Sequence, residues 1–468
     1  MIMRKYSTRF TIVLTAFVVV GANSRPASAH SRQEQQGQQQ KPSYTLPEYN
    51  AFQAANSEKD PQARIKLLDD FVAKYPNSTL MQYVYTLYYQ TYNQLKNCPK
   101  AIEYADKLVA LGDKIDAGQR LQALQIRVQC FQSTMTGKMP PDELTKQRDA
   151  ALEGAHLLES FPKPANSTMS DEDFKKQKMP GLDFFYSAAG FADLQLKDNA
   201  AGITAFKNAL TNKPDDAVSA YRLGLAYLQS QPPQYLDGFW ALARAVDLKV
   251  PDSDKIKDYL QKQILAYEQP GCDSQATDQL NELLQLAQNS PDRPSTWTIP
   301  SQQDLNQVRQ SSNILSVISE LSAGADKAKT TWLAICGAEF PEVVGKIIDV
   351  KPGSGFADFM VFTGSSADEM QNATTANMDV KVYTTSAPPA PATGAAGGGS
   401  TTPPVGPQPD VVRLQKDDGI RFSGTIASYD PSPFLLHWDQ VKVDPSIIPE
   451  KGSTGKHKVV PPKHYPQR

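Results

Sequence analysis

Residues 184–251 constrain the fold of this chain more than any other stretch. A helix-like run ending in Phe191-Ala-Asp-Leu is followed by Ala205-Phe-Lys-Asn-Ala-Leu, then by the breaker Asn212-Lys-Pro-Asp-Asp, and at once by Tyr221-Arg-Leu-Gly-Leu-Ala-Tyr. The order of small, aromatic and apolar residues then recurs, with Gly238, Leu242, Ala245 and Pro251 in the second half of the next copy. A helical unit repeated in tandem buries its apolar face only against its neighbours, so the copies must stack.

These residues resemble the tetratricopeptide repeat, a unit of about 34 residues that folds as an antiparallel helix pair with small and aromatic residues at fixed places. With Pro214 at the repeat's terminal proline, Tyr186 takes the first aromatic position, Gly190 the small helix-contact position, and Phe206 and Ala209 fall in the second helix. In the next copy Leu223, Gly224 and Tyr227 stand as the family's Leu-Gly and Tyr, and the remainder fits after an insertion at Gln231-Pro-Pro-Gln. The resemblance implies an α-helical solenoid whose first helices line a concave surface for a protein partner. By that implication Tyr83, Gln90, Asn93, Phe191 and Tyr221 are candidate partner contacts.

The beginning of the chain is not part of a core. Arg4, Lys5 and Arg9 precede an apolar run over 10–20, and Ala27-Ser28-Ala29 supplies a small-x-small cleavage pattern, which together read as a secretory signal peptide. That run is too short to cross a bilayer, which needs about 20 residues. A mature chain beginning near His30 is expected to be periplasmic or secreted. Loss of Arg4, Lys5, Arg9 and Arg25 moves the formal charge from -2 to a more acidic balance, which argues against general binding to nucleic acid or anionic membranes. Residues 31–42 carry almost nothing apolar and are expected to be a flexible leader.

From Leu46 the pattern is helical. Apolar residues at 65, 68, 71 and 72 share one helix face, and Pro76 closes that segment. A tyrosine-rich helix over 80–95 and a partner over 99–111 follow; Tyr85, Tyr88 and Tyr92 share a face and are expected to pack between helices. Cys98 precedes one helix and Cys130 ends the next, each 16 residues from Lys114, so an antiparallel hairpin brings them together as a candidate disulfide. Mutual pairing of Cys272 and Cys336 is left open. Further helices are expected over 142–161, 256–267 and 277–287, the last two as a cap on the array, with a polar insertion at 162–180.

After Pro291 the character changes. One helix is expected over 302–323, and then five β-branched and aromatic runs follow, at 343–350, 356–362, 378–383, 420–429 and 434–443. Lys351-Pro-Gly-Ser-Gly-Phe reads as a hairpin turn between the first two. The string Lys416-Asp-Asp-Gly-Ile-Arg-Phe-Ser-Gly-Thr-Ile resembles the fourth strand of OB-fold barrels, which implies a small closed barrel. Phe356, Phe359, Phe362, Phe422 and Trp438 are expected to fill its core. The Ala-, Pro-, Gly- and Thr-rich run between the third and fourth strands is expected to be a disordered excursion.

The expected fold is thus α + β and multidomain, a helical solenoid followed by a five-stranded OB-like barrel. Its order is a signal peptide at 1–29, a leader at 30–45, helical repeats over 46–290, connecting helices over 291–340, and a β domain over 341–445 with a low-complexity loop at 386–410. A basic tail over 446–468 ends it. None of the five histidines stands in a zinc-binding helical pair, although His457 and His464 in the tail offer a weak metal site; no nucleophile elbow, phosphate loop or dinucleotide fingerprint is present. The expectation is a non-enzymatic exported scaffold without cofactor or metal, which meets unknown protein partners in the cell envelope. The alternative is a module whose barrel binds an envelope polymer or oligosaccharide.

Overall fold

The computed structural model describes residues 43–134, 139–272, 274–385 and 405–451. The expected signal peptide, most of the leader, residues 386–404 of the low-complexity loop, and the tail from 452, with His30, His457 and His464, lie outside them. The chain divides into two compact units at Ser253 and Asp254.

Among the described residues, the first unit is a run of ten α-helices: α1 (Leu46–Ser57), α2 (Pro61–Lys74), α3 (Met81–Gln94), α4 (Cys98–Val109), α5 (Ala117–Thr134), α6 (Pro141–Ser160), α7 (Asp171–Leu196), α8 (Asn199–Asn212), α9 (Ala217–Gln229) and α10 (Tyr235–Asp247). Side-chain caps set most of the starts. Asp60, Asn97, Ser170, Asp198 and Asp216 each accept a hydrogen bond from a backbone N–H in the first turn of the helix that follows, satisfying a donor the helix itself cannot. Consecutive helices pack side by side, and α3, α5, α7 and α9 also touch one another in turn, which places these four in one layer.

Small residues set the distance between paired helices. A Cβ on Gly190 of α7 would lie 2.9 Å from the Phe206 ring of α8, and one on Gly224 of α9 would lie 2.7 Å from Leu242 of α10. The two contacts are equivalent. The second is longer in sequence because of the Gln231-Pro-Pro-Gln insertion, which forms the α9–α10 loop. At the other end, Tyr88 is fully buried, stacks on Tyr104 of α4 with centroids 4.0 Å apart, and donates to Asp69 Oδ1 of α2 at 2.6 Å. Cys98 and Cys130 form a disulfide joining α4 to α5, with Cα atoms 5.0 Å apart.

The polar insertion at 162–180, whose composition reads as a loop or a short charged helix, is a loop followed by the first turns of α7. Ser170 caps α7, which runs for 26 residues with Pro180 inside it; Phe174, buried at 7% exposure, anchors the added turns.

The second unit opens with α11 (Ser253–Glu268) and α12 (Ser274–Asn289), followed by α13 (Gln302–Ser311), α14 (Ile314–Ser322) and α15 (Ala325–Ile335). Division of the chain at 253 comes earlier than the expected 290, because the segment after α11 is stitched to the helices that precede the barrel. The Gly271 N–H donates to Leu333 O at 2.8 Å, and the Arg309 guanidinium donates to Gln269 O at 2.6 Å and Ala334 O at 2.8 Å. Cys272 and Cys336, left unassigned by the sequence, form a disulfide with Cα atoms 5.6 Å apart. The single helix expected over 302–323 is two, since the Asn313 side chain accepts from the N–H groups of Leu315 and Ser316, both at 3.0 Å, and starts a new helix there.

Five strands then close into a barrel in the order β1-β2-β3-β5-β4: β1 (Glu339–Pro352), β2 (Phe356–Phe362), β3 (Met378–Tyr383), β4 (Gly419–Pro431) and β5 (Phe434–Val443), with α16 (Ala367–Asn372) between β2 and β3. Neighbours are antiparallel except β3 and β5, which are parallel. β1 pairs with β4 through its first half and with β2 through its second. Gly345 lies at that changeover, where a Cβ would stand 2.4 Å from Val361. The Lys416-Asp-Asp turn is pinned to β1, with Asp417 N–H donating to Ile347 O at 2.8 Å and Ile347 N–H to Asp418 O at 2.9 Å. In the core the Trp438 ring meets Phe422 edge-on at 5.1 Å and Phe340 at 5.7 Å, beside the fully buried Phe359. Phe356 and Phe362 depart from the expectation: inward residues of β2 alternate with outward ones, and both fall half-buried on the outer face.

The parallel seam is short, with three residue pairs from Met378 opposite Leu436 to Val380 opposite Trp438. Beyond it, Gln408 spans the gap. Its N–H donates to Tyr383 O at 2.9 Å, its Nε2 donates to Val441 O at 2.7 Å, and its Oε1 accepts from Val443 N–H at 2.8 Å. Gln408 thus stands in for a strand, and a 3₁₀ turn (Pro409–Arg413) follows it. The last part of the loop expected at 386–410 is therefore ordered, because its amide completes the backbone pairing of two diverging strands. Gln408→Ala should leave the Val441 carbonyl and Val443 N–H without these partners and lower stability by about 1–3 kcal/mol. Thermal unfolding, together with faster amide exchange at Val443 and unchanged exchange in β2, checks this.

Candidate partner-binding surface

In the layer formed by α3, α5, α7 and α9, the segment best defined by its contacts is α7–α9. The Ser219 hydroxyl of α9 donates to Ser187 Oγ of α7 at 2.9 Å, tying the two helices directly. One turn on, the Arg222 guanidinium of α9 lies 4.4 Å from the centroid of the Phe191 ring of α7. The ring covers one face of the cation, an attraction that strengthens as water is excluded. Burial pushes the Arg222 pKa down to about 10, and the group stays protonated at any physiological pH. Tyr221, half-buried, adjoins it. The surface can therefore offer an aromatic edge and a held cation, while the buried Ser219 hydroxyl serves the packing of α9 on α7.

The residues named from sequence do not form one continuous patch. Phe191 and Tyr221 belong to α7 and α9, and Arg222, next to Tyr221 in the chain, lies over the Phe191 ring. Tyr83 of α3 is 45% exposed but rests against Phe52 of α1, centroids 6.0 Å apart. Gln90 is exposed on α3, while the half-buried Asn93 turns its Oδ1 to 3.7 Å from Cys130 Sγ, beside the disulfide. Sequence reading missed Arg222, although it stands one helical turn after Ser219 and so on the same face.

Two carboxyls of α7 are buried. Asp183 is 3% exposed, and burial, reinforced by nearby Asp216, pushes its pKa up to about 7. Asp193 is 1% exposed and likewise pushed up to about 7 by burial, against the pull of Arg148, whose Nε lies 4.0 Å away. Behind the amino-terminal part of α7, a cleft of about 520 Å³ opens between α6, α7 and α8. Its polar groups are engaged by the fold: Lys178 Nζ donates to the Glu159 and Phe161 carbonyls at 2.6 and 3.3 Å, and Tyr186 donates to Glu159 Oε1 at 2.6 Å. Lys178 thus caps the carboxyl end of α6.

On the barrel's outer face Lys381 Nζ of β3 lies 4.4 Å from the Phe356 centroid and 5.6 Å from that of Tyr383, and these two rings meet edge-on at 6.5 Å. Among the described residues no group of three or more His, Cys, Asp or Glu is arranged to hold a metal ion.

No protein-family model and no curated protein matches the chain. Among solved structures, a thermophilic TPR protein from Thermus thermophilus aligns at 14% identity over 47% of this chain and 99% of its own, with a TM-score of 0.24. The C-terminal part of a TPR repeat-containing protein from Cytophaga hutchinsonii aligns at 15% identity over 52% of this chain and 95% of its own, with a TM-score of 0.25.

The two α7 carboxyls make the first unit's stability depend on pH. Below about pH 4 both are protonated folded or unfolded; between about 4 and 7 only the folded chain keeps the protons. The stability is therefore fully present below the unfolded pKa and is lost as pH rises through about 7. Asp183→Asn should raise Tm at pH 8 and leave it nearly unchanged at pH 4, the gain amounting to about 2–4 °C for each kcal/mol recovered. Calorimetry at the two pH values checks this, and equal shifts at both would contradict it.

Proposed function

We propose that the chain is an exported scaffold whose helical unit holds a segment of another envelope protein along the α3–α5–α7–α9 layer. The contact of Phe191 with Arg222, beside the Ser187–Ser219 bond, carries this reading: adjacent helices of one layer present an aromatic and a cation from a scaffold held by close packing. Aromatic and Arg side chains are also those that most often dominate binding energy at interfaces. Export is supported by the leader-like start at 1–29 and by two disulfides, which persist in oxidising compartments. The role is one of binding and positioning, without a reaction.

A photo-crosslinking amino acid at Tyr221 or Phe191 should yield discrete adducts in cells, whereas one at Lys207, exposed on α8, should not. Equal adducts from all three positions would overturn the groove. Amino-terminal sequencing of the protein from an envelope fraction should begin near His30, and a full-length cytosolic chain would overturn export.

A second reading concerns the barrel, which we infer to be OB-like. The Phe356, Lys381 and Tyr383 cluster on β2 and β3 supports binding of an oligosaccharide or other envelope polymer, since barrels of that kind use this face. A glycan array with the full chain and its Tyr383→Ala variant separates the readings: signal lost in the variant favours the barrel, and its absence in both favours the groove alone.

A further inference from the structure

One side chain from each of four barrel strands joins a row across the outer face. Asp379 of β3 and His437 of β5 are opposite each other in the parallel seam. The His437 Nδ1 lies 3.0 Å from Asp379 Oδ2, and its Nε2 lies 3.0 Å from Asp430 Oδ2 of β4. Asp358 of β2 is the diagonal neighbour of Asp379 on the same outer face, since Asp358 pairs with Lys381 and Met360 with Asp379. The order is Asp358, Asp379, His437, Asp430.

The chemistry of the imidazole makes this row depend on a proton. A neutral ring has one N–H donor and one lone pair, and so can donate to only one of the two carboxylates while presenting its lone pair to the other; a protonated ring donates to both. A proton on Asp358 also eases its nearness to Asp379, because two ionised carboxylates repel. The charged groups around the row are Lys351 of β1, Lys381 of β3 and Asp439 of β5, the last in contact with Tyr383. Burial pulls the His437 pKa down, but its two carboxylate partners outweigh this and the net direction is up. Burial, then Asp379, pushes Asp358 up to about 6.

We propose that this row is a proton-operated clasp on the barrel: protonated His437 ties β4 and β3 together across β5, and loss of that proton loosens the parallel seam. The seam is the place where such a clasp acts, since only three residue pairs hold β3 to β5 before Gln408 takes over. Both groups work in the same direction. His437 stabilises the folded barrel fully below its unfolded pKa of about 6.5, and this is lost as pH rises through the higher folded value. Asp358 adds stability that is complete below about pH 4 and is lost as pH rises through about 6.

The test is amide exchange of the full chain between pH 5.5 and 8.5, corrected for the intrinsic pH dependence of exchange. Protection at 378–380 and 436–438 should fall with rising pH by about tenfold for each unit by which the ring's pKa is raised, while β1–β2 stays constant. His437→Gln should remove the pH dependence above about pH 7 at these amides, leaving only the part that Asp358 loses through about 6, and Asp430→Asn should shift the His437 midpoint downward. Ring titration of isotope-labelled histidine in the unmutated chain gives an independent reading and should place His437 above 6.5. Protection independent of pH, or a pH dependence above about pH 7 that persists in His437→Gln, or a ring titrating below 6.5, would each overturn the clasp.

Discussion

How closely two helix backbones can approach determines the layout of the first unit. At Gly190 and Gly224 the neighbouring helix presents Phe206 or Leu242 where a Cβ would stand, so any larger residue would push the pair apart or force the side chain off its rotamer. That spacing is carried from pair to pair through α7, which packs on α6 and α8 and touches α5 and α9 as well. The Ser187–Ser219 bond and the Phe191–Arg222 contact exist because of it. Both connect side chains on different helices, and the hydrogen bond does not survive a shift of more than about 1 Å in helix separation, which would carry it past its normal range.

The barrel answers to a different constraint, the pairing of every buried backbone donor and acceptor. Four of its five interfaces are antiparallel and extensive. The fifth is parallel and brief, and it is there that side chains do the work of backbone: Gln408 on one side of the three pairs, and the carboxylate–imidazole row beside them. The barrel is closed by groups that single substitutions or a proton can remove. β1, by contrast, is held along 14 residues by two neighbours and by the turn that presses on Ile347.

Periodicity made the elements readable in sequence, because burial of one face imposes 3.6-residue spacing on helices and alternation on strands. All five strands and the helices of the array were legible on that basis. The failures came where a local interaction competes with the pattern. Asn313 breaks an apolar run that looks continuous, by capping a new helix; the polar composition of 162–180 read as an interruption, whereas α7 begins inside it, with Phe174 buried. Gln408 was hidden inside a composition that reads as low complexity, since nothing in a Pro- and Gly-rich run marks one amide as a bridge between strands. The pairing of Cys272 with Cys336 crosses 64 residues, a separation over which spacing says nothing. Of the candidate surface, Phe191 and Tyr221 were named from the repeat pattern, whereas Arg222 was not, because its meaning depends on the ring that α7 places over it.

Four buried or half-buried carboxyls of the two units share one sense. Asp183 and Asp193 in the first, and Glu268 and Asp358 in the second, are all carboxyls pushed upward, chiefly by burial. Glu268 is fully buried and, like the two aspartates of α7, is pushed to about 7. Carboxyls placed in this way take up protons on folding at neutral pH, so the folded chain is less negative than its composition states, and its stability rises toward acid until the remaining surface ion pairs begin to protonate. Their cost near neutrality is borne in α7 and beside the Cys272–Cys336 disulfide, regions already fixed by close helix packing or by a covalent bond. An unpaired buried acid is tolerable where the backbone has no room to move away from it, and the tight pairing of helices that defines the scaffold is therefore also what allows it to keep these groups in its interior.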